Sequence, residues 1–311
     1  MAMRAWSSLV AVLLSACATP HAATYATLTD PSGCVLERIA VEADISQFQF
    51  DGLSPDGRLL AVGWERGEGA SRERGAYILD LQSGAREPLP AFNNAASFSP
   101  DGRALIGAVF TADRRTEIQE QDRAGGSPRI LASDPAADFL PSFSPDMQRI
   151  VFNSYRSGAS DIYALDVATG SLARLTSFEG YEAYAQLSPD GSKLLFHRNV
   201  AGADYDIVLL DLVANEERVI IGGPGEESYP TWSPDGRHIL FSSDRASGGG
   251  ANDLYVADAQ GGDVRRLTSA AGNDSYSTWA PNGEDIYFVS HRQGQHGIYR
   301  LHLDDQLRCR P

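Results

Sequence analysis

One four-residue phrase recurs along the chain at nearly constant spacing. "LSPDGRLLAVGW" begins at Leu53, "FSPDGRALIGAVF" at Phe98 and "FSPDMQRIVFNSYR" at Phe143. "LSPDGSKLLFHR" begins at Leu187, "WSPDGRHILFSSDR" at Trp232 and "WAPNGEDIYFVSHR" at Trp279. Their prolines, Pro55, Pro100, Pro145, Pro189, Pro234 and Pro281, are 45, 45, 44, 45 and 47 residues apart. A fixed period of this length marks a repeat architecture, in which each unit buries its apolar faces against its neighbours.

The repeat at Trp232 shows what one unit contains. "SYPTWS" alternates as a first strand, and "SPDG" is a type I turn, with Pro at its second position and Gly closing it. "HILFSSD", "DLYVADA" and "VRRLTS" follow as three more strand-like runs, separated by "RASGGGAN" and "QGG". No window carries the i, i+3, i+4 stripe of a helix. Four short antiparallel strands per unit make a β-propeller blade. The expected fold is therefore all-β, a six-bladed β-propeller over residues 34–311. The ends bear on how the ring closes. "CVLERIA" from Cys34 matches the fourth-strand pattern of "LARLTS" and "VRRLTS", and "QLRCRP" at the C-terminus sits where a fourth strand belongs. Either end is a candidate to complete the sixth blade.

The first residues read as a processing segment. "MAMR" is a positive start, "AWSSLVAVLL" an apolar run too short to span a bilayer, and "LSAC" ends at Cys17 like a bacterial lipobox. Residues 1–17 are expected to be a lipoprotein-type signal peptide, with Cys17 lipidated and residues 18–33 a short linker. The rival is ordinary signal cleavage near "PHAA". The remaining cysteines, Cys34 and Cys309, in an exported chain suggest one disulfide stapling the ring, against the alternative of two free thiols. The net charge of −15 argues against nucleic acid and against adhesion to anionic lipid through a basic patch. Membrane contact is expected only through the anchor.

The repeat "WSPDGRHILFSSDR…NDLYVADAQGGDVRRLTS" resembles that of the TolB-type propeller, and the resemblance covers residues 34–311. It implies a six-bladed ring serving as a platform for protein contacts. The N-terminal α/β domain that TolB itself carries has no counterpart here. Propellers of this kind also precede the catalytic domain of prolyl-oligopeptidase-type peptidases. The "GH…WD" signature of WD repeats is absent.

Seven places before each turn proline stand Phe48, Asn93, Asp138, Glu182, Glu227 and Asp274. This position opens the innermost strand, so acidic groups are expected around one mouth of the central channel. Arg66, Arg156, Arg245 and Arg292 lie eleven places after their prolines, Arg198 nine, and Arg114 fourteen. Two readings follow. Each acid pairs with an Arg, whose fork matches a carboxylate, or the acids stay free to hold a cation such as Ca2+. Asp161, Asp206 and Asp253 are expected to be turn partners for the same arginines. Tyr184, Tyr229 and Tyr276, five before the proline, are candidate contact residues beside the acids, while Trp232 and Trp279 are expected in the core between blades. The histidines form no H-x-x-x-H or H-E-x-x-H motif; His291 and His296 flank one loop of blade six. No G-x-S-x-G elbow occurs, and "SGGGAN" lacks the Lys and helix of a phosphate loop. The expected role is a monomeric, non-enzymatic platform, without cofactor, that grips an envelope protein or peptide at its mouth. The alternatives are a stand-alone propeller hydrolase or lyase with a metal at the mouth, and a sugar- or small-ligand-binding propeller.

Overall fold

The alternating runs of each repeat become four antiparallel strands. In blade five these are Glu227–Trp232, His238–Ser243, Asp253–Asp258 and Arg265–Arg266, hydrogen-bonded in that order. The computed structural model describes residues 23–42, 45, 47–49, 52–111, 115–200, 204–292 and 294–309. Six sheets of this kind are present, with blades one to four occupying residues 47–88, 96–133, 138–174 and 180–221. The fold is the all-β, six-bladed propeller that the repeat spacing implies. Cys17 and the signal-peptide reading lie outside the described residues.

Each "SPDG" phrase is a turn between first and second strands. In blade one the Gly57 N–H donates to the Ser54 carbonyl at 2.8 Å, and the Asp56 carboxylate accepts from Ser54 Oγ and from the Arg58 N–H. The last turn residue takes a positive φ, 71° at Gly57 and 69° at Gly236, which Gly adopts without steric cost. Glycine has a second use here. A Cβ on Gly57 would stand 3.2 Å from Pro281 of blade six, and one on Gly102 would stand 3.3 Å from Pro55 of blade one. The turns of blades six, one and two therefore mesh in succession.

The core lies between blades. Phe152, Phe196, Phe241 and Phe288, each seven places after its turn proline, are fully buried. Trp232 and Trp279 are buried as well, in the clusters joining blades four to five and five to six.

Ring closure uses the N-terminal of the two candidate strands. Val35–Glu42 pairs antiparallel with Gln295–His302, with Leu36 opposite Leu301, and so becomes the fourth strand of blade six. The C-terminal segment is not that strand. It turns back through Asp304 and makes only the single bridge Leu303–Cys309. Within the stretch read as linker, Ala26–Thr29 adds a fifth strand outside Val35–Glu42. Cys34 and Cys309 form the expected disulfide, across a separation of 275 residues. Closing so long a loop stabilises by up to about 5 kcal/mol in the chain-entropy picture.

One turn departs from the glycine rule. Blade three reads "SPDM", and Met147 sits at φ 60°, a left-handed conformation that costs a residue with a Cβ about 1–2 kcal/mol. Met147→Gly is expected to stabilise the protein by about 1 kcal/mol, since the glycine's extra freedom in the unfolded chain offsets part of the relief. Urea unfolding of both proteins measures it.

Candidate functional site

Four blades carry the same buried charge pair. Asp138, Glu227 and Asp274 open the first strands of blades three, five and six, Glu182 is the third residue of that of blade four, and none is exposed. The arginine at the end of, or just beyond, the second strand reaches back to each. Arg156–Asp138 is 2.8 Å, Arg198–Glu182 2.5 Å, Arg245–Glu227 3.0 Å and Arg292–Asp274 2.7 Å. A serine supports the pair in three blades: Arg156, Arg245 and Arg292 donate from Nε to Ser154, Ser243 and Ser290. Below each guanidinium lies the buried phenylalanine of the second strand, 5.3–5.8 Å away. Three of the arginines also stand over Tyr163, Tyr255 and Tyr299 of the third strand. The repeating unit is thus an arginine held by a carboxylate and a hydroxyl against aromatic faces.

Of the two readings the geometry is the paired one, and it moves the acids from the rim of the mouth into the blades. The acids are interior, and their charges are taken up by their own blades. Blades one and two lack the device. Phe48 is buried in place of an acid, and Arg66 stacks on Trp64 with Glu73 at 3.7 Å. Asn93 uses its amide to bond the backbone of Phe110. Arg114 lies outside the described residues. Asp161 and Asp253 do not share the second-strand arginines. They pair with Arg174 and Arg266 of the fourth strand, at 2.8 and 2.6 Å.

Burial pushes the Glu182 and Glu227 carboxyls above their usual range, and that of Asp274 up to about 6, against the pull of Arg292. Arg292 is shared. Its other nitrogen meets Asp30 at 2.6 Å, a buried residue just after the outermost strand. Burial opposes the Asp30 charge, but hydrogen bonds from Ser32, Arg292 and Ser269 hold its carboxyl below the usual range. The sequence reading missed Asp30. Its signal was "DPSG", a turn phrase directly ahead of Cys34.

The tyrosines do converge. Tyr184, Tyr229 and Tyr276 come from the first strands of blades four, five and six and meet over the channel. Ring centroids are 4.6 Å apart for Tyr184–Tyr229, 4.4 Å for Tyr229–Tyr276 and 6.0 Å for Tyr184–Tyr276. Each sits in a β-bulge, where the register slips between Ala183 and Gln186, Ser228 and Thr231, and Ser275 and Thr278. Each also holds a left-handed φ of 57°, 53° or 49°. Bulges re-aim side chains, and these turn three phenol rings into the channel. Leu140 does the same in blade three, with φ 54°. Gln47 and Gln49 of blade one donate to the Tyr276 hydroxyl at 3.2 and 3.1 Å. His197, buried beside Tyr184 and Tyr205, accepts from the Tyr229 N–H, and burial lowers its pKa to about 3, so it is neutral.

Beyond the rings the channel is lined by one polar side chain from each of blades two to six. Ser97, Ser142, Gln186, Thr231 and Thr278 all stand three places before their prolines. The cavity they share with the tyrosines is about 40 Å³, room for about three waters. The mutual contact of the rings narrows the passage between them. Among the described residues no group of three or more His, Cys, Asp or Glu side chains is arranged to hold a metal ion.

Fold and channel define a six-bladed propeller with an aromatic floor in its mouth. Residues 51–250 match the family described as the TolB beta propeller domain, and the chain belongs to that family. A Tol-Pal system protein TolB from Francisella tularensis subsp. tularensis is 41% identical over 54 residues, 17% of this chain and 12% of that protein. An uncharacterised protein, Atu1656, from Agrobacterium fabrum is 28% identical over 168 residues, 50% of this chain and 52% of that one. The matches thus span about half or less of these relatives' own lengths. Among solved structures, a TolB-type protein from Agrobacterium tumefaciens superposes with a TM-score of 0.62 at 22% identity, covering 85% of this chain and 91% of that one. Oligogalacturonate lyase from Vibrio parahaemolyticus gives 0.61 at 13% identity, covering 92% and 98%. At such identities the likeness is one of fold.

Two expectations follow from the buried pairs. Glu227→Ala leaves Arg245 largely buried without a counter-charge and should cost about 3 kcal/mol, whereas breaking the exposed Arg58–Asp80 pair should cost less than about 1 kcal/mol; urea unfolding compares them. Glu182, Glu227 and Asp274 have folded pKa values raised above their unfolded ones. The stability they contribute is complete below the unfolded values and is lost as pH rises through the folded ones, about 6 for Asp274. His197, neutral with a pKa of about 3, loses stability over the same range as the unfolded imidazole protonates, so the check is differential: as pH falls from 7 to 5 the thermal midpoint of Asp274→Asn should drop relative to that of the wild type.

Proposed function

We propose that this chain is a non-enzymatic protein- or peptide-binding platform of the bacterial cell envelope. The observation that carries the reading is the tyrosine floor. Three half-buried rings are held in contact by strained, left-handed backbone at three separate bulges. Backbone strain of this kind persists where the surrounding structure enforces it and is concentrated at ligand-contacting positions. Tyrosine is also the residue that most often anchors protein interfaces, because it offers a large rigid face and one polar tip. The narrowness of the cavity favours a partner seated on the floor over one threaded through the ring. The family supports the reading, since TolB-type propellers serve as interaction modules, and a disulfide fits an oxidising, exported location. Lipidation at Cys17 would hold the mouth near a membrane. The lyase and hydrolase alternatives draw on likeness of fold alone.

Pull-down from solubilised envelopes tests this. The wild-type chain should recover one or more proteins that the Tyr184→Ala/Tyr229→Ala/Tyr276→Ala variant, verified as folded by its thermal transition, does not. Equal recovery by both overturns the tyrosine floor as the docking surface.

A further inference from the structure

We propose that His291 and His296 form an open, two-imidazole site for a borderline-soft divalent ion of the Zn2+, Ni2+ and Cu2+ class. They face each other across the hairpin of Asp285–Arg292 and Gln295–His302, directly opposite in register. Their ring centroids are 4.5 Å apart and the ring planes differ by 33°. Two nitrogens on one tetrahedral Zn2+ stand about 3.3 Å apart, given Zn–N bonds of about 2.0–2.1 Å. Rings at this spacing need only side-chain rotation to present such a pair.

Two further features suit the site to a cation. The strand end is fixed in place: the His291 N–H donates to the Asn273 carbonyl at 3.2 Å, and the His291 carbonyl fills the space where Gly272 has no Cβ. A Cβ there would stand 2.0 Å from that oxygen. The His291 ring is exposed, and it borders a depression that Asp204, Glu226 and Asp244 also line. Carboxylates at this range raise the local concentration of cations without being ligands themselves. His197 and His302 are not comparable. The first is buried against Tyr229, and the second is held between Asp285 and Glu37.

Imidazole selects Zn2+, Ni2+ and Cu2+ over the hard ions Ca2+ and Mg2+. With two protein ligands, the remaining coordination positions fall to water or to a donor on a docked protein. Affinity in isolation is therefore expected to be below that of a four-ligand structural site.

Calorimetric titration of the untagged protein with Zn2+ tests the proposal, with Ca2+ in parallel. The expected result is one Zn2+ per chain, with affinity at least tenfold weaker in His291→Ala and in His296→Ala, and no competition from Ca2+. Imidazole resonances in the wild-type protein provide a readout that needs no substitution: Ni2+ should broaden those of His291 and His296 together before any others. Absence of Zn2+ binding, unchanged affinity in both variants, equal competition by Ca2+, or broadening of other histidines first would each overturn it.

Discussion

Everything in this fold depends on one seam. A propeller is stable only when its last blade is complete, since an open ring leaves two apolar blade faces and a sheet edge in water. Here the missing strand of blade six comes from the opposite end of the chain. Val35–Glu42 supplies the backbone hydrogen bonds, Leu36 enters the core between blades five and six, and the Cys34–Cys309 disulfide covalently joins the ends. Asp30 adds a charge contact, by sharing Arg292 with Asp274. The strand that closes the ring therefore pairs with residues about 260 places away in sequence, and much of the ring's contact is long-range by construction.

Within that ring the blades are not equivalent. Blades three to six carry the arginine–carboxylate–phenylalanine unit, and blades four to six add the channel tyrosines. Blades one and two have neither; they present Trp64, Phe110 and arginines at the surface instead. The mouth is thus divided into a rigid aromatic half and a more open half. A buried ion pair contributes less to net stability than its close geometry implies, because both partners lose water. Its clearer effect is positional. Each pair fixes the start of a first strand to the end of the second, two residues before the bulged residue that faces the channel, a tyrosine in blades four to six and Leu140 in blade three.

The fold was legible because repetition is a strong signal. Six copies of one turn phrase at an interval of about 45 residues leave few alternatives, and fourfold strand patterning within each copy removes the rest. Blade registers and the tryptophan positions followed from counting to the proline. The site was less legible. Counting placed the acids and arginines at one end of their strands, but spacing does not reveal whether a side chain points to solvent or into a blade. Asp138 and its counterparts turned inward because their arginines lie across the adjoining strand. The tyrosines reach the channel through a bulge and a positive φ, neither of which has a glycine or asparagine to announce it. Asp30 was hidden for another reason: it belongs to no repeat.

The order of contacts at the seam has a mechanical consequence. Tension applied to the chain ahead of the propeller meets two blade-one contacts, the Ala23 N–H on the Gln82 carbonyl and the Tyr25 hydroxyl on the Leu81 carbonyl, and then Ala26–Thr29, an outer strand with four paired residues and, among the described residues, no strand beyond it. That strand can peel away one hydrogen bond at a time. At Cys34 the force leaves the backbone pairing and crosses the disulfide to Cys309, so the strand that closes the ring is bypassed. A pull on the two chain ends is thus borne by the outer strand and the disulfide before it reaches the hydrogen bonds that close the ring.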